Sequence, residues 1–285
     1  MSNVLRTLVY DGQVSLTLVD TTEIVREGKK RHLLSPLSTY VFGKALSAMT
    51  FMSACLKGEK GEISLSLKCD GEAEEIAVSG NKALNMRGYI NGTNLAGEAN
   101  SMGEVAALGA EASVTIIRDD GYSRPFVGSC AAPTGEGLDA AFEEYYRISE
   151  QLPTRIETAV EFDENGEVIF AGVAALQPLP FANKETLKNV NALALREVLT
   201  DIKTKGIEEA ATARFEKDEK VWEVRTARYK CNCSRRYLLR VLVSLGEEQL
   251  RSIIQEEGAA RIHCHYCNTD YEFDEEDADH LFPRA

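Results

Sequence analysis

Apolar and polar residues alternate in two segments of the N-terminal half of the chain. Residues 14–18 read VSLTL and residues 63–67 read ISLSL, so every second side chain is a large apolar one. A period of two is typical of a β-strand with one buried face. Both segments are therefore predicted to be strands of a sheet.

A turn signal joins two further apolar segments. Asn165-Gly166 lies between residues 156–162 and residues 168–173. The Asn-Gly pair favours the tight turn of a β-hairpin, because both residue types tolerate a left-handed backbone. These two segments are therefore predicted to pair as antiparallel strands.

Two helices are predicted to interrupt the strands. The first begins at Ser35-Pro36 and runs to about Cys55, because proline suits the first turn of a helix. The second carries an apolar stripe at helical spacing and ends at Pro153. The stripe consists of Leu138, Phe142, Tyr145 and Leu152. Helices inserted among antiparallel strands indicate an α+β fold.

Changes in composition divide the chain into three parts. Pro178 and Pro180 stop the pattern of strands, so an N-terminal α+β core domain is predicted over residues 1–177. Residues 178–226 are richer in helix formers and in charge, which predicts a helical linker. Residues 227–285 contain two pairs of cysteines and form the predicted small C-terminal domain.

The predicted linker has an apolar face at helical spacing, followed by a mostly polar segment over residues 205–220. Two interpretations are open for this pattern. The linker is either marginally stable, or an ordinary amphipathic helix that packs on the first domain. The face comprises Leu187, Val190, Leu195, Val198, Leu199 and Ile202.

Charge and targeting signals restrict the partners and the location. The 285 residues include 45 acidic and 32 basic ones, and the net charge of −13 repels phosphate backbones, so no nucleic-acid partner is expected. The opening segment MSNVLRTLVYDGQ lacks the pattern of a signal peptide. Residues 33–56 include Lys44 and read as a buried helix, so no membrane span is expected. These observations favour a cytoplasmic location.

Four of the seven cysteines form the strongest chemical signal. Cys231 and Cys233 are followed, after thirty intervening residues, by Cys264 and Cys267. Two such pairs can supply four thiolates to one tetrahedral Zn²⁺, a closed structural site with no free position for catalysis. A domain of this size has a small core, so loss of the metal is expected to unfold it.

The spacing also raises the possibility of a redox switch. A disulfide between Cys231 and Cys233 would be strained and easily reduced, which suits a reversible switch better than a permanent link. Basic residues around this pair favour the reactive thiolate. They are Arg228, Lys230, Arg235 and Arg236. A zinc ribbon without a redox response remains the alternative on spacing alone.

Other candidate groups give weaker signals. His263 and His265 are interpreted as surface or supporting residues, because four cysteines already complete a metal site. The remaining cysteines, Cys55, Cys69 and Cys130, are interpreted as small apolar residues. A catalytic site is not expected, since common catalytic motifs are absent from the sequence. The enzyme alternative would use Tyr145, Tyr146 and Glu150.

Several segments together resemble the family of the redox-regulated heat-shock chaperone of 33 kDa, the 33 kDa chaperonin family. The C-terminal segments are CNCSR at 231–235, LGEEQL at 245–250 and CHYCNTDYEF at 264–273. The N-terminal segments are EEYYRISEQLPT at 143–154, GEISLSLKCDG at 61–71 and MRGY at 86–89. The run Arg235-Arg236-Tyr237 departs from the pattern that this family more usually has.

The resemblance implies an ATP-independent holdase that binds unfolding client proteins. It would be inactive while the four cysteines hold zinc, active once they form disulfides and release it, and able to form a homodimer on activation. A holdase must uncover an apolar patch, which predicts client binding by the linker and the sheet face beneath it. The candidate residues are Leu187, Val190, Leu195, Val198 and Leu199. The rival hypothesis is a constitutive zinc-ribbon adaptor with an acidic surface for a basic partner.

Overall fold

The computed structural model describes residues 2–215 and 223–282. These residues form two compact units that divide between Lys230 and Cys231. The last part of the polar segment 205–220 lies outside the described residues.

The first unit is built on one large sheet. Within the described residues its strands are β1 (Ser2–Val9), β2 (Val14–Asp20), β3 (Glu62–Cys69), β4 (Glu75–Asn81), β5 (Asn85–Ile90), β6 (Ala112–Asp119), β7 (Phe126–Ala131), β8 (Arg155–Phe162), β9 (Val168–Pro178) and β10 (Glu223–Tyr229). They lie in the order β7-β6-β3-β4-β5-β10-β1-β2-β9-β8. Neighbouring strands run antiparallel except β5 and β10, which are parallel.

Helices cover this sheet, and a second, smaller unit follows it. The helices of the first unit are α1 (Thr22–His32), α2 (Pro36–Ala54), α3 (Ser101–Leu108), α4 (Leu138–Tyr145), α5 (Lys184–Ala192), α6 (Leu195–Lys205) and α7 (Ile207–Arg214). The second unit contains α8 (Arg235–Val243), α9 (Glu247–Glu257), β11 (Ala260–Cys264), β12 (Thr269–Phe273) and α10 (Glu275–Leu281). The α+β class is confirmed.

The predicted strands and hairpin are also confirmed. Residues 14–18 lie in β2, residues 63–67 lie in β3, and the Asn165-Gly166 turn joins β8 to β9. Of the two turn residues, Gly166 has the positive φ, at 74°. A glycine reaches this conformation without steric cost, so it reverses the chain here.

Helix α2 lies at the centre of the first unit. Each of its residues from Leu37 to Ala54 is buried, as expected for a helix that is apolar around its whole circumference. Ser35 begins it, since its side chain accepts a hydrogen bond from the Ser38 amide at 3.2 Å. Buried hydroxyls within the helix donate to carbonyls one turn earlier, as Thr50 does to Leu46 at 2.8 Å. The predicted start at Ser35-Pro36 is therefore correct.

One buried ion pair anchors α2 to its neighbours. The Lys44 Nζ atom lies 2.8 Å from Glu104 of α3 and 3.3 Å from Asp139 of α4. The Lys44 and Glu104 side chains are only 6% and 1% exposed. Burial acts to lower the pKa of Lys44, but Asp139 and Glu104 outweigh it, so the pKa is raised and the lysine stays charged.

The strands at one end of the sheet are apolar on both faces. Val19 and Val173 belong to the core around α2, whereas the adjacent residues Leu18 and Ala174 belong to a second core. Helices α6 and α7 cover that second face. The described residues of the predicted linker 178–226 thus belong to the same compact unit as the N-terminal sheet. The predicted division into core domain, linker and C-terminal domain stays a prediction about how these three segments act.

The structure differs from the predicted elements at two places. Helix α4 ends at Tyr145, and residues 146–150 form a wider π-helical turn that ends at Gln151, where φ is 51°. The predicted helix therefore stops before Leu152. In addition, β10 follows the linker and enters the middle of the sheet, although no strand was predicted there.

The ion pair predicts a large effect of Lys44→Met on stability. Removing the cation leaves the Glu104 carboxylate buried and unpaired, which should lower the free energy of unfolding by about 3–5 kcal/mol. Urea denaturation of the full chain measures this change. The control is Lys29→Met, whose partner Glu167 is 68% exposed, and its cost should stay within about 1 kcal/mol. Equal costs for both variants would contradict the assigned role of Lys44.

Candidate metal centre

The four clustered cysteines come from two local structures in the second unit. Cys231 and Cys233 lie in the irregular segment that ends where Ser234 begins α8 by accepting from the Tyr237 amide at 3.1 Å. Cys264 is the last residue of β11, and Cys267 lies in the turn to β12. The Cys267 amide donates to the Cys264 carbonyl at 3.2 Å, which holds both sulfurs on one side of the turn.

The sulfur atoms of all four cysteines lie within 4.8 Å of one another. The Sγ atoms are 3.8 Å apart for Cys231 and Cys264, and 3.1 Å apart for Cys233 and Cys267. A tetrahedral site with metal–sulfur distances of about 2.3 Å places neighbouring sulfurs roughly 3.8 Å apart. The arrangement therefore fits one metal ion with four sulfur ligands.

The thiol pKa values reflect mutual contact and partial burial. Burial acts to raise the pKa of Cys233, but hydrogen bonds, first that of the Tyr271 hydroxyl at 3.3 Å, hold it at about 7. Burial, together with neighbouring thiols, raises the pKa values of Cys231 and Cys267 to about 11. Four like charges in this space would repel one another, so a cation is needed for all four to ionise.

A small apolar core surrounds the site in the second unit. The buried apolar residues described there, apart from Ala259 and Cys267, form one cluster. They are Leu238, Leu242, Leu250, Ile254, Ala260, Phe273 and Ala278. Such a core contributes little hydrophobic stabilisation, so the ligand cluster is an important part of this fold.

Charged contacts supplement this core. The Arg235 side chain lies over the Phe273 ring, 4.7 Å from its centroid, and donates to the Glu272 carbonyl at 2.5 Å. Arg251 of α9 pairs with Glu247 and with Asp279, both at 2.9 Å. Arg235 thereby connects the start of α8 to β12.

The two histidines beside the second cysteine pair lie outside the four-sulfur group. His263 is exposed, and its Nδ1 atom lies 2.6 Å from Asp270 Oδ1. The His265 ring stands edge-on to His263 at 4.8 Å. Among the described residues, the group with metal-ligand geometry consists of cysteines alone. Tyr271 is the contacting residue that the sequence analysis missed, because aromatic residues on a strand are usually interpreted as packing.

The other candidate residues lie in the first unit. Burial raises the thiol pKa values of Cys55, Cys69 and Cys130, which agrees with unreactive cysteines. The Tyr145 hydroxyl donates to Glu150 at 2.9 Å, and Glu150 also pairs with Arg118. Tyr146 is buried against Phe51. These contacts are those of packed, hydrogen-bonded side chains.

The candidate client-binding residues divide into two groups. Four of them, Val190, Leu195, Val198 and Leu199, are buried in the second core. Leu187 is 37% exposed. The structure thus keeps most of the predicted apolar face covered, as docking of the linker requires. None of the described helices has the length and apolar character needed to cross a membrane.

A protein family, curated relatives and a solved structure each match nearly the whole chain. The family described as "Hsp33 protein" matches residues 2–274. A 33 kDa chaperonin of Clostridium novyi (strain NT) is 32% identical, covering 97% of this chain and 96% of its own. One of Bacillus cereus (strain G9842) is also 32% identical, covering 97% of each. The crystal structure of the 33 kDa chaperonin (heat shock protein 33 homolog) of Thermotoga maritima matches with a TM-score of 0.83 and 25% identity, over 98% of this chain and 97% of that one.

The geometry predicts one metal ion per reduced chain and its loss in Cys231→Ser. Serine replaces a thiolate by a poor ligand, so metal content after removal of free ions should fall well below one per chain. Elemental analysis of protein purified under reductant measures it. Cys69→Ser is the control and should keep its metal, because Cys69 lies in the first unit. The same metal content in both variants would contradict the four-cysteine site.

Proposed function

The chain belongs to the Hsp33 family, and from this premise we propose that it is a redox-regulated holdase, which binds unfolding proteins without ATP. Its curated relatives are named 33 kDa chaperonin, so the chain is a chaperone and not an enzyme. The regulation, the metal and the client surface are the parts that we propose.

The observation that carries the proposal is the group of four sulfurs within 4.8 Å. We propose that Cys231, Cys233, Cys264 and Cys267 hold one Zn²⁺ in the reduced protein. Soft thiolates in a closed tetrahedral set suit zinc, and such a set leaves no position for catalysis. In this state the chaperone is repressed.

Oxidation would consume the ligands. With hydrogen peroxide, two thiols form one disulfide while the peroxide is reduced to two waters, so two disulfides remove all four ligands. We propose the pairs Cys231–Cys233 and Cys264–Cys267. The folded unit also brings sulfurs of different pairs together, at 3.8 and 3.1 Å. Pairing within each short segment should nevertheless prevail once the unit loosens, because small loops close at a lower entropic cost.

Loss of the ligands would unfold the second unit. Its cluster of buried apolar residues is small, so hydrophobic burial alone does not replace the contribution of the metal. The C-terminal domain predicted from the sequence begins at residue 227, and residues 227–229 lie in β10 of the first unit. The expected unfolding therefore begins at Cys231.

The client surface would be the apolar face between the linker helices and the sheet. Leu195, Val198 and Leu199 of α6 belong to the same core as the sheet residues Leu18 and Ala174. Unfolding clients expose apolar surface, whose burial stabilises a complex by roughly 25 cal/mol per Å². Undocking the linker would uncover this face in the active chaperone.

The remaining parts of the proposal concern location and partners. We propose that the protein acts in the cytoplasm, where cysteines are normally kept reduced and oxidation is a stress signal. Its partners would be unfolded or partly unfolded proteins, and activation would permit a homodimer. The net charge of −13 disfavours nucleic acid.

The switch predicts that several properties change together under peroxide and mild heating. Metal release, protease sensitivity from Cys231 onward and suppression of client aggregation should appear on the same time course, because one event causes all three. A chromogenic chelator, limited proteolysis and light scattering measure them. Peptide mapping should find the two short-range disulfides, and reductant with zinc should restore the folded unit.

One outcome would replace this proposal with the alternative. If peroxide released the metal but the second unit stayed protease-resistant and no client bound, the redox switch would be wrong. A constitutive zinc-ribbon adaptor would then explain the cysteine site.

The client surface predicts that Val198→Glu activates the reduced protein. A carboxylate at this buried position cannot keep its hydration, so α6 should leave the sheet. Aggregation of an unfolded client should then be suppressed without oxidant, while metal content stays the same. Thr200→Glu is the control, because Thr200 is exposed on the same helix. Unchanged client binding and repression in Val198→Glu would place the client surface elsewhere.

A further inference from the structure

Helix α5 is attached to the sheet differently from α6. Its buried side chains are Thr186 and Val190, and Leu187 is 37% exposed. Burial of one valine does not offset the entropic cost of ordering nine residues. Helix α6, in contrast, buries an apolar face of Leu195, Val198, Leu199 and Ile202. Polar contacts must therefore decide whether α5 stays docked.

The N-terminal end of α5 is held by the hairpin between β1 and β2. The Gln13 side-chain oxygen accepts a hydrogen bond from the Asn183 amide at 2.8 Å and one from the Thr186 hydroxyl at 3.3 Å. Asn183 itself caps the helix by accepting from the Thr186 amide at 2.9 Å. These are bonds between uncharged groups.

The C-terminal end of α5 is held by one charged side chain from β8. The Arg155 Nη1 atom donates to the carbonyls of Val190 at 2.6 Å, Asn191 at 3.1 Å and Leu193 at 2.9 Å. The last carbonyls of a helix lack partners within it and carry partial negative charge. A guanidinium that bonds several of them both satisfies and neutralises this end, and charge-assisted bonds are the stronger kind.

The other charged side chains on this face of β8 form only weak ion pairs with α6. Glu157 and Glu161 each lie 3.9 Å from Arg196, and Glu161 pairs with Lys203 at 2.7 Å. These side chains are partly exposed, so solvent screens their attraction. Docking of α6 depends on its apolar face, whereas docking of α5 depends on Arg155.

We propose that Arg155 is the positioning residue that keeps α5 docked, and that α5 is the first part of the linker to leave the sheet. This inference rests on the proposed function, since it names the contact that represses the client surface. Release of α5 would remove Leu187, Val190 and Asn191 from the lining of a cleft of about 870 Å³ and make the rest of that cleft accessible to a client segment. The rest of the cleft is lined by Pro133, Pro153 and Pro178 and by charged side chains such as Glu143 and Arg147.

Hydrogen exchange of the reduced, zinc-loaded full chain tests this proposal with Arg155→Met. Backbone amides of residues 187–193 should exchange about tenfold faster or more, while those of α6 keep their protection. The control is Arg147→Met, which removes the same charge from another lining residue of the same cleft, one that pairs with Glu144. Arg147→Met should leave the exchange of α5 unchanged. Arg155→Lys, which has a single ammonium group, should show an intermediate increase in the exchange rate of α5. It replaces Arg155→Met as the test if Arg155→Met does not fold.

The results distinguish whether Arg155 holds α5, whether α5 leaves first and whether the proposed function is correct. Unchanged exchange of α5 in Arg155→Met, or an equal increase in Arg147→Met, would overturn the role of Arg155. If amide exchange became faster in both α5 and α6, the claim that α5 leaves the sheet first would be wrong. If exchange became faster in α5 alone, the role of Arg155 would be supported. If, in addition, no client bound in either redox form, the proposed function would be contradicted. Client aggregation followed by light scattering supplies that second readout.

Discussion

The strands at one end of the sheet are apolar on both faces, and both faces must be covered. Leu18 and Val19 are neighbours in β2, yet each is fully buried in a different core. The centrally placed helix α2 covers one face permanently, because it is itself buried on all sides. The other face is covered by α6 and α7, which belong to the predicted linker. The linker helices, which we propose to control access to the client surface, are therefore also part of the fold of the first unit.

The second unit depends on a different kind of interaction. Its four sulfurs are close enough to repel one another as thiolates, and its apolar core is small. A bound cation would offset this repulsion and add stabilisation, so in the proposed switch the chemistry of the cysteines would control whether the unit stays folded. In the proposed switch, a redox reaction would change the structure without a nucleotide or another ligand. The second unit would then be the trigger, and the first unit would hold the concealed apolar face.

The strength of the polar contacts in this structure depends on how deeply they are buried. Lys44 and Glu104 are almost fully buried, so their attraction is hardly screened and either one is costly without the other. The contacts of β8 with the linker helices are more exposed and correspondingly weaker. Among them, Arg155 is distinctive because its side chain donates to three carbonyls at the C-terminal end of α5. Helix α2 is anchored by a buried ion pair, whereas the polar contacts of α5 and α6 with β8 should cost less to break.

The sequence by itself determined what depends on local spacing. Alternating residues predicted β2 and β3, Ser35-Pro36 predicted the start of α2, and the cysteine spacing predicted a four-sulfur site, because each pattern is complete within a short segment. The linker pattern left open whether its apolar face is docked. Only the tertiary structure decided that the face is covered, that β10 enters the middle of the sheet, and that Tyr271 and Arg155 contact Cys233 and α5. These features join segments far apart in the chain, and a residue's own neighbours in sequence do not reveal which distant surface will bury it or satisfy its hydrogen bonds.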